Sequence, residues 1–517
     1  MESKPMEIKT KEPAAPEAMN ATTVQPIGPE QLKKFILVLQ KYHAGKSQTE
    51  SRILASENWW KLRNTIEEQK VTNIGGDGGF TATSGWLHNV IVSKHADAME
   101  AYPEPNILPR EEADKGEAQK LSAIVPCVLE QNQFEATYSD TMWQKLKTGT
   151  GVYKVVWDKG KLNGLGDISV ERVNLLNIYW EPGVTDIQRS RYFFHTELCD
   201  KDVLEQRYPQ LEGKLKGKSF ISTKFLYDDT VDTANKHTVI EVYYHKFIGG
   251  KKTLQYCKFV GDQVLYATEN DMQPGMDEIT QQVKPPMALA GLYDHGKYPY
   301  VFDALFPIEG SPCGYGYVDI CRNPQMVIDL LNTSFVKNAM VGAVPRYFRR
   351  QDGGVNAEQF LDLNNPLVDV TGNLDENALR RIEHDTLDSN YIAVLDRTIQ
   401  ELRETSGNTE TSTGNISSGV TAASAIAALQ EASGKGSKDS TQTSYRAYTQ
   451  IVELCIELIR QFYNIPRQFR IVGEYGMQKF ESYDNAGIVK QYQGNDFGQD
   501  TFESLCVTDQ RNQREQQ

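Results

Sequence analysis

Between residues 149 and 310 apolar residues alternate at the spacing of strands, while on both sides of that interval they recur at the spacing of helices. Such a chain calls for helices segregated from antiparallel sheet, an α+β fold. Residues 151–158, 167–172 and 178–180 read as strands around a Gly-rich turn at 159–166. After a helical patch near 201–208, residues 238–247, 252–260 and 263–267 read as a meander. Its turns are Gly249-Gly250 and Gly261-Asp262. Upstream, Leu32, Phe35, Ile36 and Leu39 share a helix face, which residues 53–66 continue with Trp59 and Trp60. A glycine-rich break at 75–79 separates these from helical stretches at 86–99 and 118–146.

Beyond Gly310 the helices return in an unusual order. Asn323 and Pro324 suit the cap and first residue of a helix, and Val327, Leu330, Leu331 and Phe335 follow at helical spacing. Ile328, Val336 and Met340 lie off that stripe, so the helix is apolar around much of its circumference and needs neighbours on more than one side. A small insert, residues 346–386, carries the turn Asp352-Gly353-Gly354 and a strand-like stretch at 367–370. A second helix, capped by Asp388 or Ser389, carries Ile392, Leu395, Ile399 and Leu402 and ends at Gly407. Residues 405–419 form a loop of Ser, Thr, Asn and Gly in which Glu410 is the only charge. An Ala-rich helix at 422–432 follows, then a longer one with Tyr448, Ile451, Val452, Cys455, Leu458, Ile459 and Phe462 on one face. Pro466 stops it, and the remainder reads as polar and frayed.

Composition removes several classes. The 517 residues exceed one ordinary domain, and roughly two to four are expected. Fifty-five basic against sixty-nine acidic residues give a net charge of −14, the opposite of a protein that coats nucleic acid. No apolar run reaches the ~18 residues of a membrane span, and residues 1–28 read as a disordered arm rather than a signal peptide. Seven scattered cysteines without a C-x-x-C read as reduced thiols. Catalytic signatures fail in turn. Gly45-Lys46-Ser47 lacks the leading Gly of a phosphate loop, where Gln40 stands. The pairs Gly164/Gly166, Gly314/Gly316 and Gly434/Gly436 lack the third Gly of a dinucleotide site and read as turns. His88 and His95 nominate no third metal ligand, Asp228, Asp229 and Asp232 miss the calcium-loop spacing, and no G-x-S-x-G occurs. No metal, cofactor or enzymatic activity is expected.

The order of elements resembles the portal (head-to-tail connector) proteins of tailed double-stranded DNA bacteriophages. Local matches are Glu309-Gly310-Ser311 through Gly316, Asn323-Pro324-Gln325, Leu331-Asn332 and Gly407-Asn408. Others are the run from Ser418 to Ile426, Leu429-Gln430-Glu431, and, in the sheet region, Gly166-Asp167-Ile168, Pro182 to Ile187 and Arg191-Tyr192. The likeness spans roughly residues 86–462. It implies a portal-like fold with residues 1–28 as an arm and 29–310 as an α/β wing, helical to 148 and antiparallel sheet from 149. Residues 311–342 and 388–404 become the long stem helices, 343–387 a small α/β clip and 405–419 the tunnel loop. Residues 420–465 rise helically to a crown, and 466–517 are a short C-terminal segment without an extended barrel.

The same resemblance implies a ring, usually of about twelve subunits, at a unique capsid vertex of the virion, assembled in the host bacterial cytoplasm. The ring would conduct double-stranded DNA during packaging and ejection, and would meet the terminase large subunit, major capsid and scaffolding proteins, and later head-completion or adaptor proteins, but no membrane. Ser406, Asn408, Thr409, Thr411, Ser412, Thr413, Asn415, Ser417 and Ser418 would face DNA. Arg346, Arg349, Arg350 and Asp352 would serve clip docking; these arginines, with Arg380 and Arg381 near the far end of the insert, suit either a motor or neighbouring subunits. Val327, Leu330, Leu331, Phe335, Ile392, Leu395, Ile399 and Leu402 would pack the stem. A loop with no Lys or Arg offers phosphates only exchangeable hydrogen bonds, and an acidic wall lowers any binding well along a conduit. Two alternatives stand beside this reading: another phage neck or structural ring protein without a packaging role, and an enzyme with a dispersed carboxylate site.

Overall fold

The computed structural model describes residues 25–62, 82–109, 112, 115–215, 235–276, 283–343, 347–349, 354–355, 370–371, 379–381, 389–408, 435–472, 478–485 and 502–507. Helix α1 (Pro29–Trp60) runs unbroken, with Pro29 in its first turn and the Gln31 side chain accepting from the Gly28 N–H. Helix α2 (Trp86–Glu100), strand β1 (Glu104–Pro109), α3 (Lys115–Gln131) and α4 (Phe134–Thr148) follow. The single helical stretch expected at 118–146 is therefore two helices. They are separated at Gln133, which adopts a left-handed φ of 50°.

The sheet region matches its pattern closely. Strands β2 (Thr150–Asp158), β3 (Asp167–Arg172) and β4 (Ile178–Trp180) lead to β5 (Tyr192–Asp200), which the sequence reading did not separate. Helix α5 (Lys201–Arg207) precedes the meander β6 (Lys236–Ile248), β7 (Lys251–Val260) and β8 (Gln263–Ala267). The short ladder β9 (Gly275–Met276) and β10 (Val283–Lys284), helix α6 (Met287–Ala290) and strand β11 (Tyr300–Ala304) complete the body. Two antiparallel sheets result, β4-β5-β6-β7-β8 and β11-β2-β3. Alternation decides the packing of the larger one. Phe194, Val242 and Tyr244 meet Leu32, Phe35, Leu39 and Tyr42 of α1, while Phe193 and Tyr243 point the other way into the main core with Tyr298 and Tyr300.

Strands β12 (Phe306–Pro307) and β13 (Gly314–Tyr315) pair just before helix α7 (Tyr317–Ala343). Of the insert, the backbone strands β14 (Tyr347–Arg349), β15 (Gly354–Val355), β16 (Val370–Thr371) and β17 (Leu379–Arg381) are described, paired β14 with β17 and β15 with β16. Helices α8 (Ser389–Ser406) and α9 (Lys435–Phe462) follow, then β18 (Arg467–Val472), β19 (Gln478–Tyr483) and β20 (Phe502–Val507). The expectation of a frayed C-terminal segment is thus corrected. β18 and β19 form a hairpin whose Phe469 and Tyr483 are buried in the main core, and β20 pairs with β1 across the whole chain. The strands mix apolar with charged residues and are separated by long polar stretches, so the polar composition of the segment as a whole concealed them.

The Asn323-Pro324 start of α7 is also corrected. The helix begins seven residues earlier, at Tyr317, where the Gly316 N–H donates to Asp319 Oδ2 at 3.0 Å, and Pro324 lies inside it. A proline there forfeits one helix hydrogen bond, but Tyr317, Val318 and Cys321 must be helical to reach the core they fill. The approach is tight. A Cβ on Gly149 (φ 87°) would lie 2.3 Å from the Tyr315 backbone, and one on Gly316 would lie 2.5 Å from the Lys147 carbonyl. Gly314 and Gly316 therefore serve a backbone crossing rather than a turn.

An ion-pair cluster joins the two sheets. Glu241 on β6 meets Lys154 of β2 at 2.8 Å and Lys258 of β7 at 3.0 Å. Burial works to raise the Glu241 pKa, but Lys154, His195 and Lys258 together hold it well below the usual carboxylate range. A depressed native pKa adds stability that is present above the ordinary glutamate value and lost as pH falls through the native one. We predict that Glu241→Gln costs about 3 kcal/mol at pH 7 by stranding two lysines. The gap to the parent should narrow in acid. Denaturant titrations at pH 7 and pH 4 test this, and a gap that widens in acid would refute it.

Candidate functional site

The root of the α7–α8 pair is embedded in the body. Tyr317, Val318, Cys321 and Ile328 of α7 and Leu402 of α8 are buried with Leu87, Val90 and Ile91 of α2 and Leu146 of α4. Leu395 and Ile399 pack against the same cluster, and Arg403 lies over the Trp86 ring, 4.9 Å from its centroid. The C-terminal half of α8 meets this root, whereas Tyr391, Ile392 and Val394 in its first turns are exposed.

A polar ladder fastens α7 to the segment entering α2. The Gln325 side-chain carbonyl accepts the Leu87 N–H at 2.9 Å, capping α2 where Gly85 has no side chain to do so. The Gln325 amide donates to the Ser84 carbonyl at 2.8 Å, and Asp329 Oδ1 accepts from both the Ser84 N–H and its hydroxyl at 2.9 Å. Thr333 accepts the Ala82 N–H at 3.0 Å. Residues 325, 329 and 333 fall one helix turn apart. This i, i+4, i+8 polar row is present in the sequence, where hydrophobic spacing alone does not mark it as buried. Burial raises the Asp329 carboxyl above its ordinary pKa, a shift the Ser84 and Gln325 hydrogen bonds only partly offset.

The expected stem residues divide. Leu402 is buried, Leu395 and Ile399 are partly buried, and Leu331 and Phe335 are half-buried. Val327 (38%), Leu330 (37%) and Ile392 (54%) are instead exposed on the single chain, joined by Tyr391 and Val394, which the sequence reading did not single out. Packing within one chain therefore leaves the distal pair apolar and uncovered.

The expected DNA-facing residues divide as well. Ser406 and Asn408 are buried, contrary to the exposure such a contact requires; Ser406 Oγ donates to the Arg403 carbonyl at 3.1 Å. Ser406 is the last residue of α8, and Asn408 follows it just past Gly407, which turns the chain at φ 70°. Thr409, Thr411, Ser412, Thr413, Asn415, Ser417 and Ser418 lie outside the described residues, as does the helix expected at 422–432. So do Arg346, Arg350 and Asp352, whereas the backbone of Arg349 pairs with Leu379, in the same ladder as Arg380 and Arg381.

The rejected chemical motifs have structural roles. Lys46 is buried, donating to the Leu175 and Ile178 carbonyls, and Gly45 lies against Pro182. His88 stacks on Trp60 and His95 on Trp143. Among the described residues no group of three or more His, Cys, Asp or Glu side chains is placed to hold a metal ion, and no helix is long and apolar enough to cross a membrane. Asp228, Asp229 and Asp232 lie outside the described residues.

An α+β body that carries a long helix pair with uncovered apolar side chains presents a surface suited to association with other chains. Comparison with known families makes this specific. The model of the phage P22-like portal protein family matches residues 96–289 and 340–500, well over half of the chain, and the chain belongs to that family. It is accordingly a structural protein of the bacteriophage head-to-tail connector, in a non-enzymatic family of ring-forming oligomers that meet capsid and terminase. No curated protein matches it. The matched stretches bracket residues 290–339, so the motifs quoted at 309–316, 323–325 and 331–332 lie outside them. The match also runs past Phe462, through the β18–β19 hairpin.

The raised Asp329 pKa gives a signed expectation. A carboxyl that holds its proton more tightly when folded contributes stability that is full below the ordinary value of 3.8 and is lost as pH rises through the native pKa. Asp329→Asn keeps the acceptor for Ser84 and cannot ionise. The variant should gain on the parent as pH rises from 4 to 7 in chemical denaturation, and a gain confined to acid would contradict this origin.

Proposed function

We propose that this chain forms a closed ring, of about twelve subunits, at one capsid vertex and serves as the conduit for double-stranded DNA in packaging and ejection. The body up to residue 310 is the wing, α7 and α8 form the stem, residues 343–387 the clip and 405–419 the tunnel loop. Residues from 420 rise through α9 towards a crown. The clip docks the terminase large subunit and later head-completion proteins, the vertex recruits capsid and scaffolding proteins, and ATP hydrolysis belongs to the motor.

The observation that carries this reading, given the family, is the exposure of Val327, Leu330, Tyr391, Ile392 and Val394 on a helix pair whose root is fully packed. In a ring each pair meets its neighbours, which removes that apolar area from water. The charge of −14 per chain, repeated around the channel, opposes DNA adhesion and so favours sliding.

Two measurements test it. The purified chain should have the mass of a ring, and images should show a flared body around a channel of duplex width; a monomer, or a ring too narrow for duplex, overturns the reading. Deleting residues 410–417, which leaves the buried Asn408 in place, should preserve ring assembly but reduce DNA packaging or retention severalfold. Normal yields of filled heads would remove the loop from that role.

A further inference from the structure

The β6–β7 hairpin ends in an unusual tip. Phe247 is 70% exposed, and the ladder places it opposite Lys252, with Ile248 opposite Lys251. Both lysines are exposed and have no carboxylate partner among the described residues. Gly249 and Gly250, at φ 58° and 83°, give the two positive-φ residues of a type I′ turn. The tip is thus a preorganised aromatic anchor flanked by positive charge, on a chain that is acidic overall.

Elsewhere the body has a receptor of opposite character. A cavity of ≈ 930 Å³ opens between the end of α2, β1, α3 and α4. Tyr102, Phe134 and Tyr448 supply its aromatic floor, and the exposed Glu104, Glu130 and Glu135 stand around it without a cationic partner among the described residues. The local field is negative enough to register on Tyr102. Burial first, then Glu135 and Glu104, push its phenol up to about 12.

Key and lock lie on different flanks of α9. Tyr448 lines the cavity, whereas Glu453, five residues on and so about 140° around the helix, pairs with Lys297 at 3.8 Å. Lys297 follows Gly296, whose carbonyl meets His245 of β6 at 2.8 Å, at the base of the hairpin tip. A contact between two different flanks is heterologous, the type that closes a ring when repeated.

We propose that the β6–β7 tip of one subunit docks in the acid-rimmed cavity of a second copy of this chain, with Phe247 seated on the aromatic floor and Lys251 and Lys252 paired to the glutamate rim. A buried aromatic surrounded by charges is the usual composition of an interface hot spot. This docking presupposes the ring proposed above.

The test uses the full-length chain and the fraction of protein in rings, read by sedimentation velocity. Lys251→Glu with Lys252→Glu, and separately Glu130→Lys with Glu135→Lys, should each lower association about tenfold. Combining all four should restore it. Phe247→Ala, at an exposed position, should weaken ring formation while leaving the thermal transition of the subunit unchanged. A parent chain that stays monomeric overturns the ring itself. A parent that forms rings whose yield ignores both charge reversals overturns the docking alone. Loss in the hairpin variant without rescue by the cavity variant assigns the tip to another acceptor surface on the neighbouring copy, and equally overturns it.

Discussion

The last turn of α4 places two lysines where a helix normally shows charge to water, and here both are inside the molecule. Lys145 reaches Asp303 of β11 at 2.7 Å, the Ser440 carbonyl at 3.1 Å, and the Thr443 and Ser444 hydroxyls of α9 at 2.7 Å. Lys147 pairs with Glu57 of α1 at 2.7 Å. Burial lowers the Lys145 pKa and raises that of Asp303, while their attraction for each other opposes both shifts. Such a pair adds little net stability over an apolar core, but its loss on one side is severe because the remaining charge has no substitute. Its consequence is therefore register: α1, α4, β11 and α9 fit together in one way.

Immediately after that turn, the Gly149 crossing brings in the start of α7. The helix pair is thus gripped by the same node that positions α9, although residues 409–434 separate α8 from α9 in sequence. Exposure rises along the pair from its root at Tyr317, Cys321 and Leu402 to its distal residues Tyr391, Ile392 and Val394. The Gln325–Asp329–Thr333 row adds a buried polar strip to an inner face that also carries Val318, Cys321 and Ile328, while Val327 and Leu330 stay exposed. The inner face satisfies backbone groups of residues 82–87, which no apolar side chain could do.

The sheet region was legible because alternation has a period that turns and bulges interrupt cleanly; β3, β4 and β8 fall on the residues that pattern and turn chemistry select. The helix pair was legible in order but not in orientation. Val327 and Leu330 look like core by spacing, yet the side of α7 that is buried was chosen by Gln325 and Asp329, residues that a hydrophobicity pattern scores as solvent-facing. Pro324 misled for a related reason, since tertiary demand for Tyr317 and Cys321 outweighs one lost helix bond. Ser406 and Asn408 were read as loop by composition, but Gly407 between them lies beside Lys94 of α2, three hundred residues away in sequence, a proximity that leaves no local trace. The β18–β19 hairpin was hidden by polar composition, although Phe469 and Tyr483 alternate inward as strands require.

A ring built through the distal helix pair alone would depend on narrow apolar strips near its axis, where small tilts of a subunit change the channel most. The hairpin tip and its receptor lie on the body, farther along the chain's structure from those strips. Two contacts that are separated on a rigid subunit constrain its orientation as well as its position, and each raises the effective concentration of the other. The Lys145–Asp303 node supplies that rigidity, since it ties β11 and α9 to the helix from which α7 is hung. Acidic rims and lysine tips suit this task because charge selects the partner during encounter, while the aromatic and aliphatic surfaces hold it afterwards. An acidic chain with two lysines presented on one rigid turn therefore resolves an apparent conflict. In the proposed ring such a chain would repel the polyanion in its bore and still attract its own copies at the flank.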